Sequence, residues 1–330
     1  MFKSLRSIAA VLSIAALLAP AATWANYLEN DSGRQFVDKM VAEHGFDRAW
    51  VEQLVTQAER KQSILDAISR PAERSMEWKD YRKIFIQDSR IDQGVAFWRE
   101  HRKTLERAEK QYGVPAHIIV AIIGVETRYG RHMGSYRVLD ALATLSFDYP
   151  KRSKFFSRQL EEFLLMTREQ KLDPLELTGS YAGAMGFGQF IPSSYRSFSV
   201  DFDEDGVADI VHNPVDAIGS VANYFSEHKW RSGELVTVMA TVTKAHQSEV
   251  FDAGLKPKWT VAELAGKGVA AYAELDGNAM ASAILLVGDK GEEHWLGLHN
   301  FYVITRYNHS SMYAMAVYQL SQLLEQRFTP

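Results

Sequence analysis

No cysteine occurs among the 330 residues. Disulfides, thiolate metal sites, a cysteine nucleophile and any lipid attached through cysteine are therefore excluded. Proline is sparse, at nine residues, and nowhere gathers into a linker; no repeat or low-complexity tract appears. An excess of one charge is also missing. Lys and Arg total 37 against 41 Asp and Glu, a formal net charge of -4 with a pI near 6.2. That balance argues against a nucleic-acid partner, which wants a basic face. Long hydrophobic runs are lacking too, since a bilayer span needs ~20 apolar residues and the stretch from Ile8 to Ala19, broken only by Ser13, falls well short.

What is present fits a folded protein. The chain is 46% hydrophobic and 24% charged, enough for an ample core and unlike disordered or fibrous compositions. Its length suits two compact domains. Lys3 and Arg6 precede the short apolar run, and Thr23-Trp24-Ala25 follows it. This predicts a cleaved export signal over residues 1–25, with cleavage before Asn26. Its removal takes the net charge to -6 and leaves a soluble chain that must hold together by packing alone.

From Arg34 to Gly113 the apolar spacing is helical. Phe36, Met40 and Val41 share a face before Gly45. Trp50, Leu54, Ala58, Ile64 and Ile68 carry a second stretch ended by Pro71. Val95, Trp98, Leu105, Ala108 and Tyr112 run on to Gly113. Pro115 stands where a first-turn proline would, ahead of the nearly all-apolar Ile118–Val125, which predicts a helix buried on most sides. Helical spacing continues over Asp140–Leu145, Phe155–Glu169, Val215–His228 and Ser311–Gln326. Leu235–Val242 and Ala283–Val287 are strand-like, with a turn at Gly288-Asp289-Lys290-Gly291 and a short helix expected over Thr260–Ala265. The expected architecture is α+β but mainly α. It comprises a helical domain over 26–113, a core over 114–230 and 297–330, and a small β-rich insertion over 231–296.

Three places carry chemistry. Glu126 follows Ile122-Ile123-Gly124-Val125 in the buried helix, where a glutamate needs an explanation. It is either one half of an ion pair with Arg128 or Arg131, or an acid in an apolar cleft wall. Such a wall favours the neutral form that a general acid requires. Gly179 to Pro192 is too glycine-rich for a regular helix, and its interleaved aromatics suit sugar rings better than phosphate. Asp201-Phe202-Asp203-Glu204-Asp205-Gly206-Val207-Ala208-Asp209 matches the first half of an EF-hand-like loop, but position 12 is His212 and not the bidentate glutamate. Asp216 is the candidate to close a longer loop over 201–216. Ca²⁺ ligands would then be Asp201, Asp203, Asp205, the Val207 carbonyl, Asp216 and, direct or through water, Asp209. A Ser226/Lys229 match to Ser-x-x-Lys lacks its partner motifs, and Tyr307-Asn308-His309 would by itself be an ordinary helix start.

Taken together these residues resemble the lytic transglycosylase B family of bacterial cell-wall enzymes. The likeness rests on Gly124-Val125-Glu126-Thr127-Arg128-Tyr129-Gly130, the Leu139–Phe147 stretch, Gly183-Ala184-Met185-Gly186-Phe187-Gly188-Gln189-Phe190 and Arg306-Tyr307-Asn308-His309-Ser310, and it runs from about residue 30 to the C-terminus. It implies a lysozyme-like core flanked by a helical domain and a small β domain, with calcium in the EF-hand-like loop. Glu126 would be the lone catalytic acid and Ser180 would orient it. Gln189, Tyr224, Tyr307, Asn308 and Tyr313 would line the sugar cleft. Many members carry a lipidated cysteine; this chain has none and is expected to be a soluble periplasmic variant without a membrane anchor. Its expected partners are peptidoglycan glycan strands and cell-wall synthases. The implied reaction breaks the N-acetylmuramic acid–N-acetylglucosamine bond and leaves 1,6-anhydro ends. A hydrolytic muramidase and a non-catalytic wall-binding module are the rival expectations.

Overall fold

A computed structural model describes residues 26–69, 76–245 and 247–328. The expected leader and the Pro71 stop lie outside the described residues.

Six helices come first: α1 (Asp31–His44), α2 (Arg48–Gln57), α3 (Gln62–Ser69), α4 (Trp78–Phe85), α5 (Asp88–Glu100) and α6 (Arg102–Tyr112). Each end has a local cause. Asn30 caps α1 by accepting the Gly33 N–H at 2.8 Å, and Gly45 ends it at φ 64°, a left-handed turn that glycine adopts without strain. The expected stretch from Trp50 to Ile68 is two helices, not one. Between them the Glu59 N–H is held by Asp140 Oδ1 (2.8 Å) and the Lys61 N–H by Thr144 Oγ1 (3.1 Å). Buried acceptors from a distant helix thus replace two helical bonds. The next stretch also divides, at His101, before Gly113 closes α6 at φ 71°. The α4 helix had no counterpart among the expected elements.

The central layer holds α7 (Ala116–Thr127), α8 (Val138–Asp148) and α9 (Ser153–Gln170), with α10 (Pro192–Phe198) and α11 (Pro214–Glu227) beyond the glycine-rich segment. Pro115, expected in the first turn, is the N-cap of α7, one position before its first helical residue Ala116. Ile118 through Val125 are all buried, so α7 is wrapped by protein on every side. A two-stranded ribbon pairs β1 (Tyr136–Arg137) with β2 (Thr178–Gly179) and ties α8 to the glycine-rich loop.

The chain then enters the β-rich segment: β3 (Thr237–Val242), β4 (Trp259–Thr260), α12 (Val261–Gly266), β5 (Val269–Ala271), β6 (Met280–Gly288) and β7 (Gly291–Gly297). The sheet order is β4-β6-β7-β3-β5 and its pairs are antiparallel. Gly288 pairs with Gly291 across the expected turn, and Thr260 with Glu263 forms a capping box on α12. The two- and three-residue strands β4 and β5 are too short to leave a pattern. The chain returns through α13 (His299–Tyr307) and α14 (Ser311–Arg327), and α14 packs along α7.

Two apolar clusters result. One runs without interruption from Tyr27 through α7 to Leu324, so the first six helices and the central layer share a core. The other joins Val250, Val261, Leu264, Val269, Ala281, Ala283, Leu296 and Leu298 inside the β-rich segment. Asn300 stitches the two parts: its side chain accepts the Arg231 N–H and donates to the Arg231 and Glu234 carbonyls, at 2.8–3.0 Å.

Candidate active site

Glu126 stands in the last turn of α7, half-buried, where the helix axis runs out into a tight reversal. Arg128, Tyr129 and Gly130 follow with φ of 51°, 62° and 82°. Two non-glycine residues in succession at positive φ are costly, and the surroundings must hold them. They do so from several sides. Arg128 Nε donates to Gln93 Oε1 (2.7 Å), and Thr127 Oγ1 donates to the Phe187 carbonyl (2.9 Å) while accepting the Gly130 N–H (3.0 Å). The buried Arg90 guanidinium reaches the Gly124 carbonyl at 2.5 Å. Arg128 therefore spends its guanidinium on α5, and Arg131 is exposed.

The partner that meets Glu126 is Tyr313, whose hydroxyl donates to Glu126 Oε1 at 2.5 Å. Ser310 caps α14 through the Tyr313 N–H and so fixes this phenol in the first turn. Burial pushes the Tyr313 and Tyr307 phenols well above their ordinary pKa, and the charge of Glu126 pushes the same way. Both therefore stay protonated donors. Tyr313 is 2% exposed and reaches Glu126 from the first turn of α14.

Glu126 opens into a cavity of about 540 Å³ that Ser180, Gln189, Tyr307 and Asn308 also line, together with Tyr181, Ala182, Ala184 and His309. Ser180 Oγ accepts the Ala182 and Ala184 N–H groups (3.3 and 3.0 Å), which leaves its own proton as the remaining donor. Gln189, at φ 51°, gives its amide hydrogens to the Met133 and Gly186 carbonyls (3.1 and 3.0 Å), so its oxygen is the group left for a ligand. Tyr307 closes α13, and Asn308 is the extended residue between α13 and α14. This group joins two helices and does not simply open one.

Tyr224 is buried, donates to the Arg306 carbonyl at 2.6 Å and packs its ring 4.7 Å from that of Tyr307. The glycines serve the wall as well. A Cβ on Gly188 would lie 2.7 Å from the Tyr307 hydroxyl, which bonds the Gly188 carbonyl at 2.5 Å. The missing side chain admits a tyrosine, not a ligand.

Among the described residues lining the cavity, Glu126 is the only carboxylic acid. Asp140 is the third residue of α8, buried, and paired with Arg137 at 2.5 Å. Asp148 accepts the Tyr27 hydroxyl at 2.7 Å with Arg60 at 3.5 Å.

In the acidic loop, carboxylate oxygens of Asp201, Asp203 and Asp205 converge within 4.8 Å of one another. The other expected ligands lie beside this cluster and, like Asp201 and Asp205, accept backbone amides. Asp216 is fully buried. Its Oδ1 accepts the Phe202 N–H (2.7 Å) and its Oδ2 the Asp209 N–H (2.8 Å), so it closes the loop through amides and stands outside the cluster. Burial pushes its carboxyl up, against the pull of those amides. Asp209 accepts the Val211 and His212 N–H groups, and the Val207 carbonyl accepts that of Asp209. Three converging hard oxygens, two of them exposed, fit a calcium ion.

Comparison with known proteins places this geometry. Residues 29–322 match the family described as Transglycosylase SLT domain. The chain is 48% identical over 306 residues to the membrane-bound lytic murein transglycosylase B of Escherichia coli K12, covering 90% of this chain and 83% of that one. Among solved structures it resembles the soluble lytic transglycosylase SltB1 from Pseudomonas aeruginosa (TM-score 0.86, 54% identity, 89% of this chain and 98% of that one). It also resembles the Escherichia coli lytic transglycosylase Slt35 in complex with calcium (TM-score 0.85, 47% identity, 92% and 95%). A single acid beneath a tyrosine-walled cavity, on a chain matched nearly end to end, makes this protein a member of the lytic transglycosylase family.

Proposed function

We propose that this protein cleaves the β-1,4 bond between N-acetylmuramic acid and N-acetylglucosamine in peptidoglycan and leaves 1,6-anhydromuramic ends. The observation that carries this is the lone carboxylic acid in the cavity. An ordinary glycosidase needs two carboxyl groups flanking the bond. With one, Glu126 must act twice. As acid it protonates the leaving glycosidic oxygen, while the acetamido group of the muramic residue holds the charge at C1. As base it then takes the proton of the C6 hydroxyl, whose oxygen closes onto C1 without water. Tyr313 steadies the carboxylate between the two steps. Because the C6 hydroxyl is held close to C1 by its own ring, it outcompetes water through effective concentration. Ser180, Gln189, Tyr307 and Asn308 position the sugars.

Calcium in the 201–216 loop, held by Asp201, Asp203 and Asp205, would tie down the segment leading into α11; it has no part in bond cleavage. The Slt35 complex with calcium supports this assignment. We place the protein in the periplasm after loss of its leader, working on glycan strands and alongside cell-wall synthases. No helix among the described residues is long and apolar enough to cross a membrane. Digestion of purified sacculi with mass detection tests the proposal: anhydro products lie 18 mass units below hydrated ones. Mainly hydrated products would identify a hydrolytic muramidase, and binding without release a wall-binding module.

A further inference from the structure

One of the first six helices is built against the reversal at 128–130 that follows Glu126. Helix α5 brings Ser89, Arg90, Gln93 and Gly94 to it. Gln93 and Ser89 hold the Arg128 guanidinium, at 2.7 and 3.2 Å. A Cβ on Gly94 would lie 2.3 Å from the Tyr129 hydroxyl, and one on Gly124 2.6 Å, so that phenol is wedged between α5 and α7. The remaining contact is a cation. Arg90 is 8% exposed and, among the described residues, forms no salt bridge.

Burying a cation without a carboxylate is costly unless other groups supply the negative side. Here two helix ends supply it. Arg90 Nη1 donates to the Gly124 carbonyl in the last turn of α7 (2.5 Å), and Nη2 to the Ile84 carbonyl in the last turn of α4 (3.2 Å). Carbonyls of a last turn form the negative end of the helix dipole, where a cation is favoured. The Gly124 carbonyl also accepts the Arg128 N–H at 3.1 Å, so Arg90 bears on the bond that closes α7. Glu126 stands two residues on. Its side chain is held by Tyr313 from α14, and the backbone that carries it by Arg90 from α5. An apolar side chain could fill the same space at less cost, but it could not fix where the carbonyl points. We propose that Arg90 is a positioning residue of the reaction: it fixes the end of α7, and through it the reach of the Glu126 carboxyl to the glycosidic oxygen.

The inference rests on the role given to Glu126 above, and its test keeps the two apart. Cleavage is counted as all new chain ends, anhydro or hydrated, so product identity tests the reaction and the rate tests Arg90. Arg90→Met keeps the stem but loses the charge and both hydrogen bonds. It should lower kcat about a hundredfold, as a misplaced acid does, with KM within about twofold of wild type. Arg90→Lys restores the charge without the planar fork that spans two carbonyls, and should regain about tenfold of that loss. Leu54→Ala, buried in α2 away from the reversal, controls for stability: it should lower Tm and leave kcat per folded molecule unchanged. Glycan strands should bind Glu126→Gln by calorimetry equally well with and without Arg90→Lys; weaker binding would place Arg90 on the sugar and overturn the assignment. So would a kcat for Arg90→Met within about threefold of wild type, a raised KM at constant kcat, or no gain with Arg90→Lys. Should Arg90→Met not fold, Arg90→Lys decides: a kcat about a tenth of wild type at unchanged KM sustains the assignment, and wild-type kcat overturns it. Failure of both to fold would make Arg90 a clamp of the fold alone and overturn it as well. Mainly hydrated products with these rates intact would change the reaction and leave Arg90 in its role.

Discussion

Two acidic regions of this molecule solve opposite problems. At the end of α7 one carboxylate is set into an apolar wall, with a buried phenol as its donor and no second acid among the described residues of the cavity. In the 201–216 loop three carboxylates crowd within 4.8 Å of one another near the surface, braced by backbone amides. Set apart from other acids of the cavity, the first is placed to exchange a proton with a ligand. Crowding makes the second need a cation, since like charges so close repel unless one neutralises them. Glu126→Gln should break the comparison most: the amide keeps the shape and loses the proton, so turnover should fall by about a thousandfold or more with the fold retained. Activity within tenfold of wild type would remove Glu126 from its role.

Tyr313→Phe sharpens the same side. It deletes one hydroxyl and leaves the ring packed on α7. A hydrogen bond to a charged acceptor is worth ~1.5–3 kcal/mol, so kcat should fall about ten- to a hundredfold while KM moves little. A variant in which KM rises and kcat holds would mean that Tyr313 binds sugar, as first expected, and does not steady the acid.

On the proposed reading the loop answers to metal and not to substrate. Calcium should raise the melting temperature by several degrees, since a ligand at a hundred times its Kd adds ~2.7 kcal/mol. Magnesium should do less, because a flexible many-oxygen loop suits the larger ion. Asp201→Ala with Asp205→Ala should abolish the shift. Because none of the loop's residues lines the Glu126 cavity, chelation at 25 °C should spare most of the activity. Loss of activity in step with calcium would join the two regions that the geometry separates.

Residue order alone revealed the heart of each site. Glu126 was legible because a glutamate interrupts an apolar helix, and Asp201, Asp203 and Asp205 because their spacing and Gly206 lie within six residues. Both signals are local. What residue order does not display are contacts between distant parts of the chain. Tyr313 meets Glu126 across 187 positions, and Asp140 breaks the second helical stretch from 81 positions away. Asp216 was rightly tied to the loop, yet whether it offers oxygens to metal or to amides is decided by burial, which composition does not display. Tyr181 and His309 reach the cavity by the path of a loop with no periodicity to read.

The smallest effect separates the helical body from both acidic sites through pH. Burial lowers the pKa of His101, His117 and His228 below the ordinary histidine value, so each is held neutral when folded. In the unfolded chain each regains a pKa near 6.5. Between that value and the lower folded ones, the unfolded state binds more protons, and stability rises with pH. The contribution is therefore fully present above pH 6.5 and is lost as pH falls through the window below it. Urea midpoints should decline from pH 7.5 to 5.5, above the range where free carboxylates take up protons. His117→Gln should flatten that decline without touching the calcium shift, since His117 opens α7 at the end remote from Glu126, with Glu325 at 3.5 Å as its ionic partner and Glu109 also acting on its charge. A midpoint that stays level over this range, or a decline that His117→Gln leaves unchanged, would show that the buried histidines do not set the pH response and would return it to the carboxylates.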